Sequence, residues 1–566
     1  MIRRSTLIAA EVLMGLVAAL LIGVGVTWWR LSQGPLELSF IRETVQSELS
    51  AARGGRPVGI DRVVLAMSET GRAVELRAIN VSIEDGRGGV LSRSDEARIE
   101  LGLLPLLIGR VSVERAEFRG GALTFTRKLD GTVHVAFGPE GAPADIIIPA
   151  PPPNETMEAR VARILDGLES AFRPVGAGGS LRGLSIRRAE LAIIDDAGGG
   201  RWTAHDANLE LARQGGSLAL VAGASLEAAA GAAPANLRIT TDTRFQSAII
   251  EFGAENARPR ALFSPAALGP FAGLDAPVTM SVSIGLDRRA GVNRFEGEAT
   301  FGRGVADMAG GRFSLDGGRI HGNYDIESDA LIIDELSFAG DRTRIGGEAR
   351  LSDASRIFST APDQPANFNI ALPSMRLDVP GTFAEPIALT NVQVVGAIVS
   401  NERAIRFDRL RAEIGGGAVA GAGRLYWAEA GADNAAKLGI ALEAAGEGAI
   451  AARALILAWP IGLGEGARAF MARSLEGGSV TDLTVRLDIR PGDRSGEAMP
   501  DRAVDVRYNV TDGQLRFIST MSPILAARGS AILRGNRYEM SVPEARLNNL
   551  TITGARIEVP RFRPSG

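Results

Sequence analysis

Val278-Thr279-Met280-Ser281-Val282-Ser283-Ile284-Gly285-Leu286 decides the fold class. Val278, Met280, Val282, Ile284 and Leu286 recur at every second position, with Thr279, Ser281 and Ser283 between them. A period of two puts the five apolar side chains on one face of a β-strand and the hydroxyls on the other.

Segments of the same kind extend in both directions. Toward the N-terminus they are 72–83, 97–103, 109–118, 122–127, 132–137, 184–194, 207–212 and 218–222, separated by Gly, Asp or Asn, with Asp85-Gly86 and Asp130-Gly131 as turn signals. Toward the C-terminus a loose echo of strand, turn and strand recurs at 331–351, 405–425 and 515–533 with variable spacing, which predicts stacked β elements rather than a regular repeat.

Composition agrees with a sheet protein. The 566 residues include 69 glycines, above the usual share of about 7%, while aromatic residues are only 5%. Frequent tight bends accommodate those glycines, and few large rings are present to fill a compact core. The chain lacks cysteine, which removes disulfides, thiol catalysis and cysteine-ligated metals. With 62 basic against 66 acidic residues, the net charge of -4 gives no broad electrostatic surface for nucleic acid.

Three stretches depart from the strand pattern. Residues 7–29 are apolar apart from Glu11, follow Arg3 and Arg4, and end at Trp28-Trp29. About 20 such residues span a bilayer, so a transmembrane helix is predicted over 7–29, with 1–6 cytoplasmic and the large C-terminal part exported. A cleaved signal peptide is the competing reading. Leu38, Ile41, Val45 and Leu49 then predict a short amphipathic helix. The run from Ile146 to Pro153 interrupts the sheet, and Val161, Ile164, Leu165, Leu168 and Phe172 predict a covering helix. The predicted organisation is an N-terminal β module at 35–145, a proline-rich linker and helix at 146–175, and an extended β region at 176–566.

A sheet with one apolar face must cover it. With few helices and aromatics available, two readings stay open. One is a long curled sheet whose groove is filled by hydrophobic ligand or membrane lipid, with Val278, Met280, Val282, Ile284 and Leu286 as candidate groove residues. The other is a dry β-rich scaffold or assembly factor.

Enzyme chemistry finds little support. His134, His205 and His321 stand in separate segments, Asp195-Asp196 precedes a glycine turn as acidic residues commonly do, and Gly415-Gly416-Gly417 lacks the Gly-Lys-Ser/Thr ending of a phosphate loop. No catalytic residue, metal or cofactor is assigned.

Residues 457–488, LAWPIGLGEGARAFMARSLEGGSVTDLTVRLD, stand apart from the anonymous strands. Trp459-Pro460, then Ala467, Arg468 and Phe470 on a helix, then Leu475, Gly477 and Gly478 at a turn, resemble AsmA-like proteins with a DUF3971 region, notably the YhdP-like family. Phe470 stands where that pattern more often has Trp. Residues 508–517 and 521–524, the order of segments after residue 34, and 103–127 are similar to it as well, although YhdP-like chains are considerably longer. The resemblance implies a taco-like groove in an elongated, curled β-sheet, held at the bacterial inner membrane with its body in the periplasm. It also implies phospholipid acyl chains as cargo, passive transfer toward the outer membrane, a role in envelope integrity, and an outer-membrane or periplasmic protein partner. For Trp459, Pro460, Arg468, Phe470, Gly477 and Gly478 themselves the residue chemistry points to local architecture: proline ends a strand, and the helix anchors on the sheet.

Overall fold

A computed structural model describes residues 26, 29–31, 33–43, 46–47, 50, 57–68, 74–84, 90–102, 113–136, 138–144, 146–152, 155–172, 182–196, 200–228, 231–259, 273–308, 311–354, 365–378, 382–399, 402–427, 438–461, 465–491, 493, 500–516 and 520–562. Residues 1–151 with 161–253 form one compact unit, and 152–160 with 254–566 a second.

The strands up to residue 257 are β1 (Leu36–Glu37), β2 (Val58–Met67), β3 (Val74–Glu84), β4 (Val90–Leu101), β5 (Val113–Gly120), β6 (Ala122–Arg127), β7 (Val133–Ala136), β8 (Ile146–Ile148), β9 (Gly183–Asp195), β10 (Gly200–Gln214), β11 (Ser217–Ala228), β12 (Gly231–Asp242) and β13 (Ser247–Ala257). Between β8 and β9 lies α1 (Met157–Phe172). In the first unit β1 to β5 pair antiparallel in succession. Then β5 and β6 both run parallel to β9, at Arg115–Arg119 and Ala122–Arg127 respectively. The chain bends between them at Gly120 and Gly121, with φ of 74° and 91°. Facing that bend, Arg188 of β9 also has a positive φ. A parallel pairing needs a crossover, which residues 128–182 supply. From β9 onward, β10, β11 and β12 return to antiparallel order.

The predicted covering helix forms as α1. Val161, Leu165 and Phe172 of its apolar stripe are fully buried, and Phe172 packs edge-on against Phe245 at 6.1 Å. Val63, Val58, Ile60, Ala78, Val81 and Ala97 make a second small core, with Ile41 against it. Ile41 closes a 3-10 turn, Ser39–Ile41, at the start of the predicted helix there; Val45 and Leu49 lie outside the described residues.

The later strands are β14 (Leu274–Asp275), β15 (Val278–Asp287), β16 (Gly291–Phe301), β17 (Gly304–Met308), β18 (Gly311–Leu315), β19 (Gly317–Asp325), β20 (Ala330–Ala339), β21 (Arg344–Ser352), β22 (Ala366–Leu377), β23 (Ile387–Val399), β24 (Ala404–Ile414), β25 (Gly417–Trp427), β26 (Leu438–Glu447), β27 (Ile450–Ala451), β28 (Leu475–Ile489), β29 (Val504–Leu515), β30 (Ile524–Arg534), β31 (Arg537–Leu547) and β32 (Leu550–Val559). From β15 each strand pairs antiparallel with the next, except for two insertions. The β17–β18 hairpin joins β14 in a separate three-stranded sheet, so β16 pairs with β19. Between β26 and β28 stand β27 and two helices, α2 (Ala452–Ala458) and α3 (Glu465–Ser474).

Strict alternation breaks in many strands at one residue with left-handed φ. Asn80, Asn391, Asp482, Asp512 and Ala526 all have φ between 47° and 54°. Register shifts accompany Asp482, Asp512 and Ala526. Across each of these three, successive buried positions are three apart: Val480 to Leu483, Val510 to Gly513, and Ile524, half-buried, to Ala527. These are β-bulges, which restore the inward face after an extra residue. Side-chain amides brace two such shifts, Asn391 to Glu413 where β23 slips against β24 and Asn509 to Asp482, while Asn80 reaches Asp61 across an unshifted pairing, each at 2.8 Å.

Two expectations are corrected. The first is the membrane helix: among the described residues no helix is long and apolar enough to cross a membrane. A crossing needs about 20 apolar residues in one helix. The described helix α1 is 16 residues long in all and carries charges along one side. Of the predicted span 7–29 only Val26 and Trp29 are described; the rest lies outside the described residues, as does the cytoplasmic segment 1–6. No element among the described residues carries the single-pass inner-membrane topology, the periplasmic placement or the partnership with the inner membrane.

The second is the groove. The described residues are mainly β as predicted, but among them no curled or closed sheet is found. The shortage of helices and rings had suggested a missing filling. Instead the chain's own apolar side chains, aligned by the bulges, pack a core from Ile414 to Phe562. With it go phospholipid acyl chains as cargo and a lipid-transfer role.

Candidate functional site

The segment between β26 and β28 forms the most elaborate local arrangement in the second unit. Residues 452–458 are Ala, Arg, Leu and Ile, strong helix formers for the most part. The helix ends at Trp459 because Pro460 follows; the residue before proline avoids the helical region, and Trp459 is extended at φ -80°, ψ 116°. The chain then turns into α3, whose Ala467, Met471 and Ser474 fall on one buried face at helical spacing. Arg468 closes the corner, donating from Nε to the Trp459 carbonyl at 2.8 Å. The backbone N–H of Ile461 reaches the Thr382 carbonyl at 2.7 Å, tying the same corner to the segment before β23.

Phe470 lies in an aromatic group with Tyr538 and Phe562, at ring separations of 6.0 and 5.7 Å. Phe562 itself is fixed by two hydrogen bonds with Asn536, at 3.0 and 2.6 Å. Tyr508 and Tyr538 meet through their hydroxyls at 3.2 Å, and sulfur atoms of Met471 and Met540 accept from them at 3.9 and 3.3 Å. Burial pushes the Tyr508 phenol well above the usual tyrosine range and the Tyr538 phenol up to about 12. Both phenols stay neutral near neutral pH. They bind each other and the methionine sulfurs inside a buried core rather than act as bases.

Beneath the helices lies an apolar recess of about 270 Å³, walled by Ile456, Trp459, Pro460, Met471, Leu483 and Val506 among others. The outer face of the same strands differs in kind. Arg486 pairs with Glu443 at 2.8 Å, and Asp505 receives Arg507 and Arg534 at 2.9 and 3.2 Å. Those guanidinium groups and Asp505 hold each other, so the Asp505 carboxyl lies below the usual carboxylate range, chiefly through the Arg507 bond. Glu443, Arg486, Asp505 and Arg507 border a shallow recess of about 550 Å³ floored by Ala420 and Ala444.

Trp459, Pro460, Arg468 and Phe470 are thus brought together at one corner. Gly477 and Gly478 stand at the start of β28, facing Gln514 and Gly513 of β29. The candidate groove residues on β15 line neither recess. Val278 and Leu286 are buried, Met280, Val282 and Ile284 are half-buried, and Thr279 and Ser281 are exposed, so the strand has one inward face. Sequence reading missed Tyr508 on β29, Tyr538 on β31 and Asn536 in the turn before β31, which meet only through the pairing of these strands.

In the first unit, Leu123, Phe125, Leu191, Leu209, Leu226 and Ile239 help to line an apolar trough of about 530 Å³. It is local to β6, β9, β10, β11, β12 and β13. Asp195 and Asp196 face Arg127 and Lys128 at 3.5 and 3.1 Å, so this acidic pair is engaged in ion pairs. Of the histidines, His205 is exposed with Glu227 3.9 Å away, His134 lies half-buried in β7, and His321 bonds Asp334 at 2.6 Å. Among the described residues no group of three or more His, Cys, Asp or Glu could hold a metal ion.

Comparison with protein-family models, with characterised proteins and with solved structures gives no match.

Proposed function

We propose that this chain is a β-sheet scaffold, an assembly element that acts through the surfaces it holds in place. The observation that carries this reading is the continuous core from Ile414 to Phe562, built from the chain's own side chains and capped by α2 and α3, with only a local recess of about 270 Å³ beneath the helices. A scaffold needs a dry, self-sufficient interior and a fixed exterior. The ion-paired outer face of β26, β28 and β29 supplies the second: its charges are fixed in a pattern that a protein partner of complementary charge can read. The resemblance of 457–488 to AsmA-like chains fits here as architecture, since its Trp459, Arg468 and Phe470 all serve the corner that caps the core.

Native mass spectrometry of the intact chain tests the proposal. The expected result is the mass of the polypeptide without small-molecule adducts, with cooperative unfolding of 414–562 when exchange is followed in denaturant. One or more amphiphiles retained per chain, whose removal loosens that region, would overturn it.

A further inference from the structure

The exposed face of β16, β19 and β20 carries a histidine whose surroundings are built around its charge. β16 and β19 pair over only six positions, Glu296–Phe301 with Gly318–Asn323, and the chain between them leaves to form the β17–β18 hairpin. A short ladder joined by an excursion depends more on cross-strand side chains than a tight hairpin does.

His321 lies near the outer end of that ladder, opposite Glu298 on one side and Glu335 on the other. The β19–β20 register shifts between His321 and Gly322, which leaves Asp334 as the extra residue of β20. A bulge re-aims a side chain. Here it turns the Asp334 carboxylate onto the ring, where His321 Nδ1 donates to Oδ1 at 2.6 Å. Across the ring, Nε2 stands 3.9 Å from Glu296 of β16.

We propose that His321 is a proton-operated clasp: its charged ring ties β16 and β20 to β19, and discharge of the ring loosens the three strands.

The surrounding charges support this. β16 contributes Arg294, Glu296 and Glu298; β19 contributes Arg319; β20 contributes Asp334 and Glu335; and Glu348 of β21 stands opposite the bulge. Arg319 bridges Glu298 and Glu335 at 3.0 and 3.2 Å, and Arg294 holds Glu296 at 2.6 Å. Four carboxylates on these three strands therefore meet two guanidinium groups, and the charged His321 supplies a third cation.

The Asp334 hydrogen bond raises the His321 pKa above its ordinary value, and the same bond lowers that of Asp334. A folded pKa above the unfolded one means that the stabilisation is complete below the unfolded value of about 6.5. It is lost as pH rises through the folded value.

The test uses the full chain. The ring resonance of His321 is identified by its disappearance in H321Q, and only His134 and His205 compete with it. It should titrate above the ordinary histidine value in the parent and return toward that value in D334N. Amide exchange, corrected for intrinsic rates, should show protection in β16, β19 and β20 falling by a factor of about 3 to 10 between roughly pH 6 and 8.5. In H321Q that pH dependence should vanish, while β29 to β31 keep parent-like protection as the internal control. A His321 that titrates at or below the ordinary value, or parent protection in β19 that is flat with pH, overturns the clasp.

Discussion

Arg468 donates from Nε to the Trp459 carbonyl oxygen at 2.8 Å, and that single bond spans the corner between α2 and α3. It joins the residue that ends one helix to the middle of the next. R468A is expected to cost about 1.5 to 3 kcal/mol, the range for a hydrogen bond to a charged group. R468K should recover part of it, since a lysine can still reach one carbonyl but lacks the planar fork. Urea unfolding followed by tryptophan fluorescence measures the difference, and an R468A chain as stable as the parent would remove the bond from the account of this corner.

Gly477 and Gly478 are adjacent but unequal. A Cβ at Gly477 would meet the end of the Gln514 side chain at 3.2 Å, which can move aside. At Gly478, φ is 114° and a Cβ would lie 2.8 Å from the Gly513 backbone. G477A should therefore be near neutral, whereas G478A should cost about 1 to 3 kcal/mol and open the β28–β29 pairing. Denaturation midpoints of the two variants, compared side by side, check this.

Asp493 accepts two bonds from the Arg502 guanidinium, both 2.8 Å, and one from the Arg490 backbone N–H. The Arg502 bond is the main reason its carboxyl is held down to about 2. A folded pKa below the unfolded value of about 3.9 gives stabilisation that is present above that value. It is lost as pH falls through about 2. The parent should be more stable than D493N at neutral pH, and the two should converge in strong acid. Thermal midpoints at several pH values read this out, and a constant gap would contradict it.

Asp512 sits at φ 52° where β29 shifts register against β30. Asp, Asn and Gly tolerate that backbone region, and β-branched residues do not. D512G or D512N should retain the fold with a small change in stability, while D512V should lose about 1 to 3 kcal/mol. Hydrogen exchange across β29 and β30 distinguishes local loosening from global loss. Equal behaviour of D512V and D512N would show that the bulge is not fixed by backbone preference.

This bulge also marks where sequence reading stops. The period of two found β15 within one residue of its observed end, and helical spacing found α1 through Val161, Leu165 and Phe172. Proline chemistry placed a break at Trp459-Pro460, but as the end of a strand, whereas the element that stops there is the helix α2. But Asp482 and Asp512 look like ordinary polar positions or turn signals in a linear text. Their bulges change which side chains face inward, and only the pairing partners fix that choice. Without them, and with few helices and aromatic residues, a groove with an external occupant stayed open beside the dry scaffold. The Tyr508–Tyr538 contact was hidden for a related reason: it joins residues 30 apart whose meeting depends on the β29–β30–β31 register.

The bulges braced by Asn391 and Asn509 make each strand answerable only for its own phase. In a strictly alternating sheet, one extra residue turns every side chain beyond it inside out, and the error persists to the strand's end. Here the geometry already contains places where an odd residue is taken up. A sheet of this design can gain or lose a residue in one strand, or a whole hairpin such as β17–β18, without rewriting its neighbours. Divergence by insertion then becomes cheap relative to divergence by substitution, and chains of this architecture can drift in length while their inward faces stay aligned.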